Sequence, residues 1–273
     1  MTGATTAVGR TATRIEELRA AGRPALVGYL PVGFPDVAGS IAAAKVMVEA
    51  GVDIVELGLP YSDPVMDGSV IQRATTAALA GGVRVRDCLR AVEAVAATGA
   101  PVLIMTYANP VFRYGTEAFA RDLAAAGGAG LVTPDLVPEE AGEWLAASEA
   151  HDLDRVFLVA PSSTPERLAI TAAASRGFVY AASTMGVTGV RAAVGSQAER
   201  LVRDTRAAGA PRVCVGLGVS TATQAAEVGA YADGVIVGSA FVRALIDPPT
   251  PAAGLTALAD VVGAIATGVR TAR

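Results

Sequence analysis

Eight short apolar runs, each followed by a longer alanine-rich run, set the tightest limit on what this chain can fold into. The runs are Ala25–Leu30, Ile54–Gly58, Val102–Met105, Gly130–Thr133, Val156–Val159, Phe178–Ala181, Val213–Val215 and Gly234–Val237. Most are continuous rather than alternating, the pattern of parallel strands covered on both faces. Helical segments separate them: Val37–Ala50, Arg86–Thr98, Thr116–Ala126, Glu139–Ala150, Pro165–Ala174, Ser196–Ala208 and Thr221–Val228, with Ala252–Val269 closing the series. Asp36 and Ser220 stand where N-caps belong, and Gly51, Gly99 and Gly127 follow helix ends. A further helix, Arg14–Ala21, precedes the first strand. Eight βα units without a linker predict one closed (β/α)8 barrel over residues 1–273, with an extra N-terminal helix and a flexible end at 1–12. A doubly wound open sheet is the alternative, disfavoured by the count of eight.

Composition narrows the function classes. The chain is 52% hydrophobic with a mean hydropathy of +0.45, which raises the question of a membrane. Its longest uncharged stretch, Ala94 to Phe112, contains Gly99, Pro101 and Pro110 and so predicts no continuous spanning helix. The first ten residues lack the apolar centre of a signal peptide, and Cys88 and Cys214 lie in unrelated segments. The expectation is a soluble cytoplasmic protein. A net charge of −4 without a basic run argues against nucleic acid. With His151 as its one histidine, the chain predicts no imidazole-built metal site. A Schiff base would have to use the one lysine, Lys45, which falls mid-helix and reads as a snorkelling side chain. His151 reads as a helix-end or surface histidine.

In such barrels the chemistry sits on loops after the C-terminal ends of the strands. The seventh strand runs into Gly216-Leu217-Gly218-Val219-Ser220 and the eighth into Gly238-Ser239, each followed by a helix. Glycines there let backbone N–H groups and a helix N-terminus close on a phosphate. Any one such turn is as readily a plain tight connection, but the pair together favours phosphate. Gly186-Val187-Thr188-Gly189 offers a third glycine turn after strand six. Within strand two, Glu56 interrupts an apolar run, where burial would raise its pKa into the range useful for acid/base work. The loop beyond it carries Asp63 and Asp67, the latter before Gly68 and free to swing over the barrel mouth. The competing readings are an arginine ion pair for Glu56, a capping or turn role for Asp67, and a turn role for Asp63 before Pro64. The residues alone therefore predict proton-transfer chemistry on a small phosphorylated substrate, by an isomerase, epimerase or lyase.

At these residues the chain resembles the tryptophan synthase α subunit family nearly end to end. The resemblance rests on GYLPVGFPD (28–36), VDIVELGLPYSDPVMDG (52–68), MTYANPVFRYG (105–115), VYAASTMGVTG (179–189), VGLGVS (215–220) and VIVGSA (235–240). The second stretch is the most specific, joining a strand-end acid to an aspartate-bearing loop. Ser69 and Pro31 depart from the proline and threonine common in the family. The resemblance implies a TIM barrel that cleaves indole-3-glycerol phosphate to indole and glyceraldehyde 3-phosphate. It implies Glu56 as general acid toward indole C3 and base toward the side-chain hydroxyl, and Asp67 as acceptor of the indole N–H. Tyr29 and Tyr180 would line the site, Gly189, Gly218, Gly238 and Ser239 would hold phosphate, and Thr188 would sit on a closing lid at 183–195. No cofactor is implied for this chain. Pyridoxal phosphate is expected only on a partner β subunit in an α2β2 assembly, with Asp63, Pro64, Asn109 and Asp135 facing that partner. The rival readings are a stand-alone lyase releasing indole, a mainly regulatory subunit, and another phosphate-binding barrel.

Overall fold

The eight apolar runs are eight parallel strands that hydrogen-bond in sequence order and close, β1 pairing with both β2 and β8. They are β1 (Ala25–Pro31), β2 (Ile54–Gly58), β3 (Val102–Met105), β4 (Gly130–Thr133), β5 (Asp154–Val159), β6 (Val179–Ala182), β7 (Val213–Gly216) and β8 (Gly234–Val237). The computed structural model describes residues 9–182, 191–216 and 218–272, the side chains of 191–195 excepted.

Among the described residues the helices are α1 (Arg10–Ala20), α2 (Val37–Glu49), α3 (Ser69–Ala80), α4 (Val85–Ala96), α5 (Ala108–Tyr114), α6 (Thr116–Ala125), α7 (Gly142–Ala150), α8 (Pro165–Ala174), α9 (Arg191–Ala207), α10 (Ala222–Gly229), α11 (Ser239–Ile246) and α12 (Pro251–Arg270). Their ends follow local chemistry. Asp36 caps α2 by accepting the Gly39 N–H at 2.7 Å, and Gly51 leaves the helix at φ +117°. Thr164 and Thr250 cap α8 and α12, each with proline at the first helical position. The cap of α10 is Thr221 rather than Ser220, whose N–H and hydroxyl instead bond the Gln224 side chain. The helix expected from Glu139 is broken: Pro138–Glu140 form a 3-10 turn before α7.

Inside the barrel, Val27, Ile54, Leu103, Val132, Val156, Phe178, Cys214 and Ile236 pack together, with Ile15 and Leu18 of α1 closing the bottom. The outer layer is held by a second, larger cluster; α12, long and apolar enough by composition to span a membrane, buries Leu258, Val262, Ile265, Ala266 and Val269 in it.

Helix α1 corrects an expectation. Residues 10–12, read as part of a flexible end, are its first turn, and Thr11 and Ala12 are fully buried. Buried acids at the feet of three strands hold it. Asp53, before β2, accepts from Arg14 at 3.1 Å and from Arg23 at 2.7 Å. Asp154, opening β5, accepts from the Thr11 N–H at 2.9 Å and hydroxyl at 2.7 Å. Asp233, before β8, accepts from Arg19 at 2.6 Å and Arg206 at 2.9 Å. The bottom is thereby sealed and braced, leaving the other mouth for chemistry.

Candidate active site

Glu56 faces the barrel interior because it stands two residues after Ile54, an inward-pointing position of β2. It is 1% exposed, and its Oε2 has no hydrogen-bond partner among the described residues. Among the described residues no arginine pairs with it. Desolvation, unopposed, pushes its pKa up to about 8, so the acid is protonated at neutral pH. Tyr29 lies beside it in register on β1; burial, then Asp67 and Glu56, raise the pKa of the Tyr29 phenol, and burial, then Glu56, raise that of the buried Tyr180 of β6. Two glycines make room for these rings. A Cβ at Gly58 would stand 2.7 Å from Tyr29 Cζ, and one at Gly216 would stand 2.6 Å from Tyr180 Cε1.

Asp67 is not the freely swinging residue its loop suggested. Its Oδ1 accepts a hydrogen bond from the Tyr107 hydroxyl at 3.1 Å, and Gln72 Nε2 donates to its backbone carbonyl at 2.7 Å. The same phenol accepts the N–H groups of Val65 at 3.0 Å and Met66 at 3.1 Å. Asp67 is half-buried, and desolvation raises its pKa against the lowering effect of the Tyr107 bond. Burial pushes Tyr107 itself up to about 12, leaving it a hydrogen-bond donor at any physiological pH. Tyr107 was missed in the sequence, although it follows β3 directly and so lies where barrel chemistry is sought.

At the other side of the mouth, Gly218 adopts φ +97° after β7, a conformation that favours glycine. Gly238 precedes α11 and Ser239 is that helix's first residue, so a helix N-terminus without a side-chain cap follows directly on β8. Thr188 and Gly189 lie outside the described residues, and α9 already begins at Arg191 within the segment expected to form a lid. Lys45 is a half-buried residue of α2, and His151 caps the end of α7 while bonding Glu117 at 2.7 Å.

Asp63 and Pro64 lie in the loop after β2, Asn109 in α5 after β3, and Asp135 in the loop after β4. Asp135 caps α5 by accepting the Ala108 N–H at 2.9 Å, and Asn109 Nδ2 donates to the Tyr61 hydroxyl at 3.4 Å. The same three segments expose Val65 (82%), Phe112 (49%) and Val137 (40%).

The family model for the tryptophan synthase alpha chain matches residues 15–266. The chain belongs to the tryptophan synthase alpha chain family. Curated alpha chains are 64% identical over 248 residues in Mycobacterium avium (91% of this chain, 90% of that one) and 62% identical over 265 residues in Mycobacterium ulcerans (96% of each). A solved structure of Mycobacterium tuberculosis tryptophan synthase superposes with a TM-score of 0.90 at 60% identity, covering 96% of this chain and 99% of that one. An alpha subunit from Legionella pneumophila keeps a TM-score of 0.88 at 29% identity, covering 97% and 99%. As a tryptophan synthase alpha chain, this TIM barrel is a lyase of tryptophan biosynthesis that cleaves indole-3-glycerol phosphate. The stand-alone and regulatory readings are not favoured.

Proposed function

We propose that Glu56 and Asp67 carry out the cleavage, with the substrate's phosphate at Gly218, Gly238 and Ser239 and its indole ring near Asp67. The observation that carries this reading is a fully buried carboxyl group in the barrel mouth whose Oε2 has no hydrogen-bond partner among the described residues, its pKa pushed up to about 8 by burial. Glu56 gives its proton to indole C3, and the ring becomes a cation that Asp67 steadies by accepting the N–H. The bond from C3 to the side chain then breaks, its electron pair restoring the indole. The hydroxyl on the departing carbon becomes an aldehyde as its proton passes to Glu56, which ends in its starting state. The protonated ring is the electron sink, so neither lysine nor metal enters the steps. Thr188 and Gly189 complete the phosphate cup and lid in this reading.

The partner in this proposal is a tryptophan synthase β subunit in an α2β2 assembly in the cytoplasm, with pyridoxal phosphate on the β subunit alone. The exposed apolar residues Val65, Phe112 and Val137 beside Asp63, Pro64, Asn109 and Asp135 support that docking face. Glu56→Gln tests the chemistry. It should bind indole-3-glycerol phosphate while indole release falls by about a thousandfold, within the range for general acid–base groups. Near-normal release would remove Glu56 from the mechanism.

A further inference from the structure

The ring of Tyr29 crosses the barrel mouth from β8 to β2. A Cβ at Gly238 would lie 3.2 Å from its Cδ1, whereas a Cβ at Gly58 would meet its phenol end, 2.7 Å from Cζ and 2.8 Å from Cε2. The hydroxyl therefore points away from the phosphate side and toward the strand that carries Glu56. Tyr29 is 8% exposed, and its hydroxyl is packed closely over Gly58. A phenol enclosed by two glycine gaps needs a partner when water is expelled, because a lost hydrogen bond in a closed site is not replaced.

The substrate's chemistry limits what that partner is. The indole N–H is a donor and is assigned to Asp67. The phosphate oxygens accept, but the hydroxyl of Tyr29 points away from the loops that would hold them. Two side-chain hydroxyls remain. The one on the carbon joined to indole, C1′, loses its proton to Glu56, leaving the C2′ hydroxyl unserved. We propose that the Tyr29 hydroxyl donates a hydrogen bond to the C2′ hydroxyl oxygen of indole-3-glycerol phosphate, making Tyr29 a residue that selects the hydroxylated side chain. This rests on the roles given above to Glu56 and Asp67.

The test compares two substrates: indole-3-glycerol phosphate and its analogue lacking only the C2′ hydroxyl, which retains the C1′ hydroxyl and can still be cleaved. Tyr29→Phe keeps the ring and removes the donor. It should lower kcat/KM about three- to tenfold on the natural substrate, the effect of one neutral hydrogen bond, and leave the analogue's value unchanged. An equal fall on both substrates, or no fall on either, would overturn the proposal. Glu56→Gln run in parallel separates the two failures: turnover near normal in that variant would show the site itself misassigned, and the Tyr29 contact would fall with it.

Discussion

The Tyr107 hydroxyl donates to Asp67 Oδ1 at 3.1 Å while accepting the backbone N–H groups of Val65 and Met66. One donor and two acceptor positions are all a phenol has, so this one is saturated by a single loop. The loop otherwise stands out from the barrel, with Val65 82% exposed, and would sample many conformations without that clasp. The Tyr107 ring in turn lies 5.2 Å from the Tyr61 ring, and Tyr61 accepts a bond from Asn109. Asn109 is thereby linked to Asp67 through two rings and two hydrogen bonds.

Tyr107→Phe should leave the barrel intact and lower kcat/KM by about tenfold, because all three hydrogen bonds of the hydroxyl, the one to Asp67 among them, are lost with it. The positioning role shows in the split between constants. The fall should lie mainly in kcat, because Asp67 steadies a charge that exists only after proton transfer. A variant with an unchanged kcat and a lowered Tm would make Tyr107 a structural residue alone.

The raised pKa of Glu56 has two pH consequences. As an acid near 8 in the free protein, it is in its proton-donating form through neutrality, so kcat/KM should hold from pH 6 to 7 and fall as pH rises through about 8. Stability moves the same way. Below the unfolded value of 4.5 both states hold the proton; between 4.5 and about 8 only the folded state does, so stability falls across that window. Glu56→Gln has no such penalty. Its Tm relative to the parent chain should therefore rise between pH 5 and pH 8.5, by about 5 °C or more for a barrel of this size. A constant difference would show that Glu56 ionises freely in the folded protein.

Strand positions were legible because buried parallel strands need uninterrupted apolar runs, and Glu56 was legible because it breaks one. Tyr107 was not, since its role depends on where a loop from the neighbouring unit folds back. Helix α5 escaped notice because Pro110 reads as a breaker, yet it sits in the first turn, where no intrahelical N–H bond is lost. The bracing of α1 was equally hidden: Thr11 and Asp154 are 143 positions apart, and a threonine near a chain end carries no sign of a buried carboxylate waiting for it.

Ser69 occupies the first position of α3, directly after the loop that carries Asp67. Proline suits that position, and Gly68 before it has the extended conformation, φ −70° and ψ 164°, that a following proline requires. Ser69→Pro should stabilise the chain by about 0.4–1 kcal/mol through the unfolded state, with kcat unchanged. A loss of stability in chemical denaturation would mean that the loop needs the Ser69 backbone N–H.

The deepest bracing of α1 offers the cleanest separation of fold from activity. Asp154 is fully buried, and desolvation raises its pKa against the two hydrogen bonds from Thr11. Among the described residues its Oδ1 has no hydrogen-bond partner, and Arg176 Nε stands 3.9 Å from it. Thr11→Val keeps the shape and the backbone N–H but removes the 2.7 Å hydroxyl bond. The carboxylate then keeps one close donor, and the expected cost is about 1–3 kcal/mol, seen as a lower denaturation midpoint. Because Asp154 lies at the foot of β5 and Glu56 in the opposite mouth, kcat/KM of the folded variant should not change. Loss of activity at an unaltered midpoint would show that α1 tunes the catalytic mouth through the barrel core rather than only sealing its base.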